Sequence, residues 1–311
     1  MESDRQFIFK GGTSLLLHMP QVRRLSRDID IVCGRPAAEL DAVVRVIGTR
    51  PPFLRLEEDD RGARGLPQRR HFKFFYRSAL AGFVEQELLL DVVEEAREVE
   101  HLVRVPTIES LLGDKLTAFA PHTTGVPFYR PNGDEQLQQV AKQLFDIGVL
   151  FDGATDFDAV SRSYTAISAQ ESEYRGHQHT REAALDDTWQ ACIALTATKP
   201  VIRVQYPDAP LLHDGLDRMR GHLTTPAYVR DIQARRTLAS KAATLAAHLR
   251  AGVPLDFGTM RYTGSAAQLA ALRVATLNGQ PLSGLDGVRA VNPEAYYYWH
   301  RAILLGQPEP A

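Results

Sequence analysis

Cysteine is nearly absent from this chain. Only Cys33 and Cys192 occur in 311 residues, one in an apolar strand-like run and one in an apolar helix-like run. Two such thiols exclude a disulfide framework and suit burial in a reducing compartment. Long hydrophobic runs are missing too, and none approaches the roughly 20 residues that span a bilayer. The opening Met1-Glu2-Ser3-Asp4-Arg5 lacks the basic-then-apolar order of a signal peptide. The cytoplasm is therefore the expected location, with no membrane partner. Charge of one sign is also lacking. The formal net charge is −2, which excludes a uniformly basic nucleic-acid binder but permits a local basic surface. His-Glu-x-x-His, a Walker Gly-Lys-Ser/Thr and a Gly-x-Ser-x-Gly elbow do not occur. His177-Gln178-His179 has no further ligands nearby in sequence to complete a zinc site, and reads as exposed polar surface.

Against these absences one segment carries specific chemistry. Phe7-Ile8-Phe9-Lys10 is a short apolar strand entering Gly11-Gly12, and Thr13-Ser14-Leu15 opens a small helix. A second strand, Asp28-Ile29-Asp30-Ile31, follows. Glycines let backbone N–H groups approach a polyphosphate, and a helix N-terminus would add its dipole. Asp28 and Asp30, two apart on a strand, leave the same face. Magnesium takes hard oxygen ligands and commonly combines one or two carboxylates with substrate phosphates. Ile29, Ile31 and Cys33 would face the core. The segment reads as a metal-dependent nucleotide site.

The remaining pattern predicts an amphipathic helix over 37–49, ended by Pro51-Pro52, and strands over His71–Arg77 and Glu87–Val93. The intervening Ser78-Ala79-Leu80-Ala81-Gly82 suits a hairpin connection. Asp91 is an acid inside the apolar run Leu88 to Val93, costly there unless paired, hydrogen-bonded or bound to metal. It is the candidate third acid of the site; the alternative is a surface Asp on an edge strand. From Pro106 onward the pattern turns helical, with Thr107 as a candidate N-cap. The fold class expected is thus α/β: a small mixed-sheet core over 1–105, then a mainly helical domain over 106–311.

The motif Phe9-Lys10-Gly11-Gly12-Thr13-Ser14-Leu15, followed by Arg24-Leu25-Ser26-Arg27-Asp28-Ile29-Asp30, resembles the nucleotidyltransferase superfamily. More narrowly, it resembles the AbiEii-type toxin family of prokaryotic toxin–antitoxin systems. The resemblance covers roughly residues 7–150 in separate blocks, with a weaker echo at Asn292 to Trp299. It implies NTP as substrate, Mg2+ or Mn2+ as cofactor at Asp28 and Asp30, and nucleotide binding by Lys10, Gly11, Gly12, Thr13, Ser14 and Ser26. It supports Asp91 as a catalytic acid. It implies the 3′ end of tRNA as acceptor, growth inhibition or phage defence as the outcome, and a cognate antitoxin as partner. Control by contact or by phosphorylation of Thr13 or Ser14 stays open. Family members often carry a helical segment before the Lys-Gly-Gly strand, so a native start further upstream is one expectation.

Lys115, read from its residues alone, is a helix lysine whose stem lies along apolar surface. The block Gly113 to Pro121 resembles a family block whose lysine binds the triphosphate. Asp146, in Leu144-Phe145-Asp146-Ile147, resembles a third block in which an Asp completes the catalytic set. Where family members carry Arg-Asp, this chain has Lys142-Gln143. The stretch from Arg61 to Arg77 holds Arg64, Arg69, Arg70 and Lys73 interleaved with aromatics. It reads equally as an RNA contact, chiefly through Arg69, Arg70 and Lys73, or as a loop entering a core strand. The cluster Tyr296-Tyr297-Tyr298-Trp299 reads as a terminal helix packed on its domain. Other readings of the chain are transfer to a protein hydroxyl or to a small molecule such as an aminoglycoside, and a non-catalytic binding module of the same fold.

Overall fold

A residue period of two builds the first part of the protein, and a helical period the second. The computed structural model describes residues 7–18, 21–26, 28–34, 37–59, 68–78, 85–94, 105–196, 206–225, 227–278 and 282–305. The chain divides into two compact units, Met1–Thr107 and Ile108–Ala311. Arg61, Arg64 and residues 79–82 of the expected hairpin connection lie outside the described residues.

In the first unit the strands are β1 (Phe7–Lys10), β2 (Asp28–Cys33), β3 (Phe53–Glu58), β4 (Gln68–Arg77) and β5 (Glu85–Glu94). They form one sheet in the order β1-β2-β5-β4-β3. The β2–β5 pair is parallel and the other three are antiparallel, so the sheet is mixed. Alternation sorts the side chains into two faces. Cys33, Phe72, Phe74 and Val92 are buried on one face with Leu40 and Val44 of α2 (Ala37–Gly48), and Ile31, Leu88 and Leu90 pack against them. Each such large apolar side chain contributes about 1.5–3 kcal/mol on full burial. Asp28, Asp30, His71 and Asp91 fall on the other face. Asp91 lies on a strand flanked by β2 and β4, so the edge-strand alternative does not hold.

Nothing in the residue pattern announces β3. It reads Phe-Leu-Arg-Leu-Glu-Glu, pairs only with β4, and shifts register between Phe53 and Arg55. An edge strand with one neighbour tolerates an exposed Leu54 and a charged end.

The second unit contains α3 (Ile108–Ala118), α4 (Leu137–Gly153), α5 (Phe157–Tyr174), α6 (Arg181–Thr196), α7 (Ala209–Arg218), α8 (Ile232–Ala251), α9 (Ala266–Val274) and α10 (Pro293–Leu305), with shorter turns between. Local chemistry sets several ends. Asp156 caps α5 by accepting from Ala159 N, Asp231 caps α8 by accepting from Gln233 N, and Ser265 caps α9 by accepting from Gln268 N. Helix α8 packs against α4, α6 and α10, and its buried Ala239, Ala242, Ala243 and Ala246 permit close approach. The C-terminal aromatic cluster is core: Tyr296 to Trp299 are all buried. The Trp299 ring meets Trp189 edge-on at 5.2 Å, and its indole N–H donates to Thr196 Oγ1 at 3.1 Å. Cys192 is fully buried, which pushes its thiol pKa up, and neither cysteine is in a disulfide. His177 and Gln178 are exposed. Among the described residues no helix is long and apolar enough to cross a membrane.

Candidate active site

The sheet register draws the polar residues of the first unit into a row. Lys10 of β1 stands opposite Asp30 of β2, Asp30 opposite Asp91 of β5, and Asp91 opposite His71 of β4. Two carboxylates side by side in a sheet repel each other unless something positive or proton-donating joins them. His71 supplies part of that, its Nδ1 lying 2.7 Å from Asp91 Oδ1 in a hydrogen bond where the ring N–H donates. His71 goes unnoticed as a site residue in sequence because its partner lies on another strand. Period-two alternation in β4 puts it on the right face, but only the register brings it to Asp91.

The strand-to-helix turn after β1 closes over this row. Gly11 has φ +64°, and a Cβ added there would lie 1.8 Å from Asp30 Oδ2. The bare backbone of the turn therefore rests directly on a carboxylate. Gly12 makes a second close approach, since a Cβ there would lie 2.5 Å from Arg24 Nη2 and 2.9 Å from Nη1. Arg24 is buried, and its Nη1 donates to the Leu25 carbonyl at 3.3 Å.

The hydroxyls of Thr13, Ser14 and Ser26 all reach backbone carbonyls. Thr13 Oγ1 donates to the Asp28 carbonyl, Ser26 Oγ donates to the same oxygen at 3.2 Å, and Ser14 Oγ donates to the Gly11 carbonyl at 2.8 Å. Ser14 is fully buried as well. These bonds tie the turn to itself and to the start of β2. The dipole argument shrinks, because α1 (Gly11–Leu16) has six residues, too few aligned peptides for much of a macrodipole.

Asp28 and Asp30 fit a divalent cation on the chemistry of their donors. Both present hard carboxylate oxygens from one face of β2, with the glycine turn pressed against Asp30. Among the described residues no three His, Cys, Asp or Glu side chains form a ready-made cage. Magnesium does not require one, since one or two carboxylates completed by substrate phosphates suffice.

Lys115 and Asp146 belong to the second unit. Lys115, on α3, is buried rather than snorkelling, with Nζ 3.7 Å from Asp114 Oδ2 and 4.0 Å from Asp146 Oδ2. Asp146, on α4, is 2 % exposed. Its neighbours Leu144, Phe145 and Ile147 are buried too, so it does not face solvent.

Comparison with known proteins bears on what this arrangement is for. Residues 2–208 match the family model of the nucleotidyl transferase AbiEii toxin, from type IV toxin–antitoxin systems. The chain belongs to this family. Membership in the AbiEii family brings NTP substrates and an antitoxin partner as class properties. Two solved structures from Helicobacter pylori are similar to it at low identity. JHP933 is 17% identical with a TM-score of 0.34, over 70% of this chain and 88% of that one. A second H. pylori protein, described as a candidate nucleotidyltransferase, is 14% identical with a TM-score of 0.40, over 83% of this chain and 91% of that one. No curated protein matches the chain.

The basic segment of this AbiEii member is partly structural. Arg70 is half-way into the core-facing side of β4, bonded to Glu58 Oε1 at 2.7 Å and to Asp41 Oδ1 at 2.5 Å. The hydrogen bond with Glu58 holds its guanidinium pKa above the ordinary value. Arg70 is thus held by two carboxylates of its own unit. Phe72 and Phe74 are core residues and offer no base-stacking platform. Arg69 and Lys73 share the face of His71, Arg69 exposed and Lys73 paired with Asp59 at 3.0 Å. A partly exposed pair of that kind is worth little.

Proposed function

We propose that this protein transfers a nucleoside monophosphate from an NTP to an RNA hydroxyl, with the 3′ end of tRNA as acceptor, and that the transfer arrests growth unless an antitoxin restrains it. The observation that carries the proposal is the register that sets Asp30 beside Asp91, with Asp28 on the same face and the Gly11 turn resting on Asp30. Asp28 and Asp30 would hold the divalent cations. Bound there, such ions supply charge neutralisation along the triphosphate and a clamp on the attacking and leaving oxygens. The backbone N–H groups of Gly11 and Gly12 bind phosphate oxygens. Asp91, held by His71 through Oδ1, takes the acceptor hydroxyl proton on Oδ2. The freed oxygen bonds to the α-phosphorus, the bond from that phosphorus to the β-bridging oxygen breaks, and pyrophosphate leaves with the electron pair. Arg69 and Lys73 contribute phosphate contacts to the RNA.

Lys115 and Asp146 enter the proposal from the family resemblance, Lys115 as a binder of the triphosphate and Asp146 as a catalytic acid. Substitution Lys115→Ala in a folded protein should then abolish transfer. The deciding assay incubates the protein with magnesium, each α-labelled NTP in turn and total tRNA, beside an Asp28→Ala, Asp30→Ala variant. Label on tRNA that disappears in the variant supports the proposal and names the nucleotide. Label on protein, or on neither polymer while NTP is consumed, replaces the RNA acceptor with a protein hydroxyl or a small molecule.

A further inference from the structure

Strand β4 carries more than His71 on the face of the acids. Alternation places Lys73, Phe75 and Arg77 on that side, while Phe72, Phe74 and Tyr76 have the opposite parity. Phe75 is half-buried, and strand pairing sets Arg55 of β3 beside it. The Arg55 guanidinium lies over the ring, its carbon 3.3 Å from the ring centre. It also donates to Glu57 Oε1 and, at 2.6 Å, to Glu85 Oε1. A ring below and two carboxylates at the edge thus fix the plane of a side chain that is still 43 % exposed. Arg55 is a poor phosphate contact, because those carboxylates meet its charge and Glu87 stands opposite Phe75. What it keeps is a flat outer surface. Guanidinium planes, like aromatic rings, stack on the unpaired bases of RNA with little regard to sequence.

The register also fixes how far this stack lies from the acids. His71 is opposite Asp91, and Phe75 is four residues further along β4, about 13 Å for a strand's rise per residue. An RNA with its 3′ hydroxyl at Asp91 and its strand running along β4 passes over the stack within its last few nucleotides. We propose that Arg55, supported by Phe75, is a positioning residue: it stacks one unpaired base just upstream of the 3′ end and so holds the acceptor hydroxyl at Asp91. The proposal rests on the RNA-acceptor reading and adds to it the place where the strand is held.

A cycle between protein and RNA isolates the contact. Arg55→Lys keeps the charge and removes the plane. The probe is a synthetic RNA hairpin with a single-stranded 3′ tail, either intact or with one abasic position in the tail. Its affinity for the full-length protein is read by fluorescence anisotropy, with circular dichroism as a check of folding. Arg55→Lys should weaken binding of the intact RNA roughly five- to a hundredfold, the range for losing one stacked base, with the salt dependence unchanged. One abasic position should weaken binding to the wild type by the same factor and binding to Arg55→Lys no further. Exchanging the base at that position for another should have little effect. Phe75→Leu, which removes the ring beneath the guanidinium, should also lose the response to that position; if it does not fold, Arg55→Lys on the surface decides alone. Affinity for the intact RNA unchanged in Arg55→Lys would overturn the proposal. So would losses that add at every abasic position. Wild-type protein that binds no RNA would instead remove the RNA-acceptor reading itself, which is a different failure.

Discussion

Adding a single methyl group at Gly11 should silence the protein, and the structure says by which route. Gly11 has φ +64°, so alanine there carries backbone strain of about 1–2 kcal/mol. For a unit of roughly 100 residues that lowers the melting temperature by about 5–10 °C. The larger consequence is local. The new Cβ would fall 1.8 Å from Asp30 Oδ2, 2.6 Å from Cγ and 3.1 Å from Cβ. Rotating the carboxylate relieves the first two contacts but not the third, which the backbone of β2 holds in register with Lys10 and Asp91. Asp30 must leave the position from which it would face the substrate. Displacing a preorganised charged group of this kind costs about a hundred- to a thousandfold in rate. Gly176→Ala is the control for strain alone, since Gly176 has φ +69° and nothing within 4 Å of its added Cβ. Label transfer to RNA and calorimetric melting are measured on both variants. Gly176→Ala should lose stability and keep activity. Gly11→Ala with transfer within threefold of wild type would refute the placement of Asp30 at the reacting centre.

Other expectations follow from the same structure. Both tryptophans, Trp189 and Trp299, lie in the helical unit, so tryptophan fluorescence follows the melting of that unit alone. Burial lowers the pKa of His248 there, and burial together with Arg301 lowers that of His300. The unfolded chain therefore takes up protons first as pH falls, and stability is full above about pH 6.5 and declines below it. The fluorescence midpoint should drop between pH 7.5 and 5.5, less so in His248→Gln; a flat or rising midpoint would contradict this. Lys115→Met removes the ammonium 4.0 Å from the buried Asp146 carboxylate and should cost the helical unit about 1–3 kcal/mol. Adding Asp146→Asn should restore part of that, and an unchanged midpoint in Lys115→Met would show the pair to be inert. Arg70→Met should destabilise the first unit by about 1 kcal/mol, given exposed partners, and leave the salt dependence of RNA binding alone. Arg69→Ala should instead reduce that salt slope by about one.

What could be read from the residues was whatever depended on neighbours in sequence. Asp28 and Asp30, with Ile31 and Cys33 beyond them at the opposite parity, mark both faces of β2, and the structure has those faces. The buried Tyr296–Trp299 cluster follows from its density of aromatic surface. What could not be read depended on partners far along the chain. Arg70 looks like an available cation until β3 and α2 bring Glu58 and Asp41 to it, 12 and 29 residues away. The bond from the Thr13 hydroxyl to the Asp28 carbonyl, 15 residues on, exists only once the turn lies against β2. His71 carries no local mark, since it reaches Asp91 only through strand register. Local pattern thus pointed to the family and to candidate acids, and tertiary contact showed which polar groups meet one another.

The most direct test of the central claim is to follow the α- and γ-phosphates of the NTP separately. Protein, magnesium, tRNA and either α- or γ-labelled NTP are combined, for the wild type and for Asp28→Asn and Asp30→Asn variants that retain the wild-type melting profile. The account predicts α-label on the RNA, γ-label released as pyrophosphate, and loss of both signals in each variant. Label from the γ-position on the acceptor, or α-label undiminished in the Asp30→Asn protein, would contradict it.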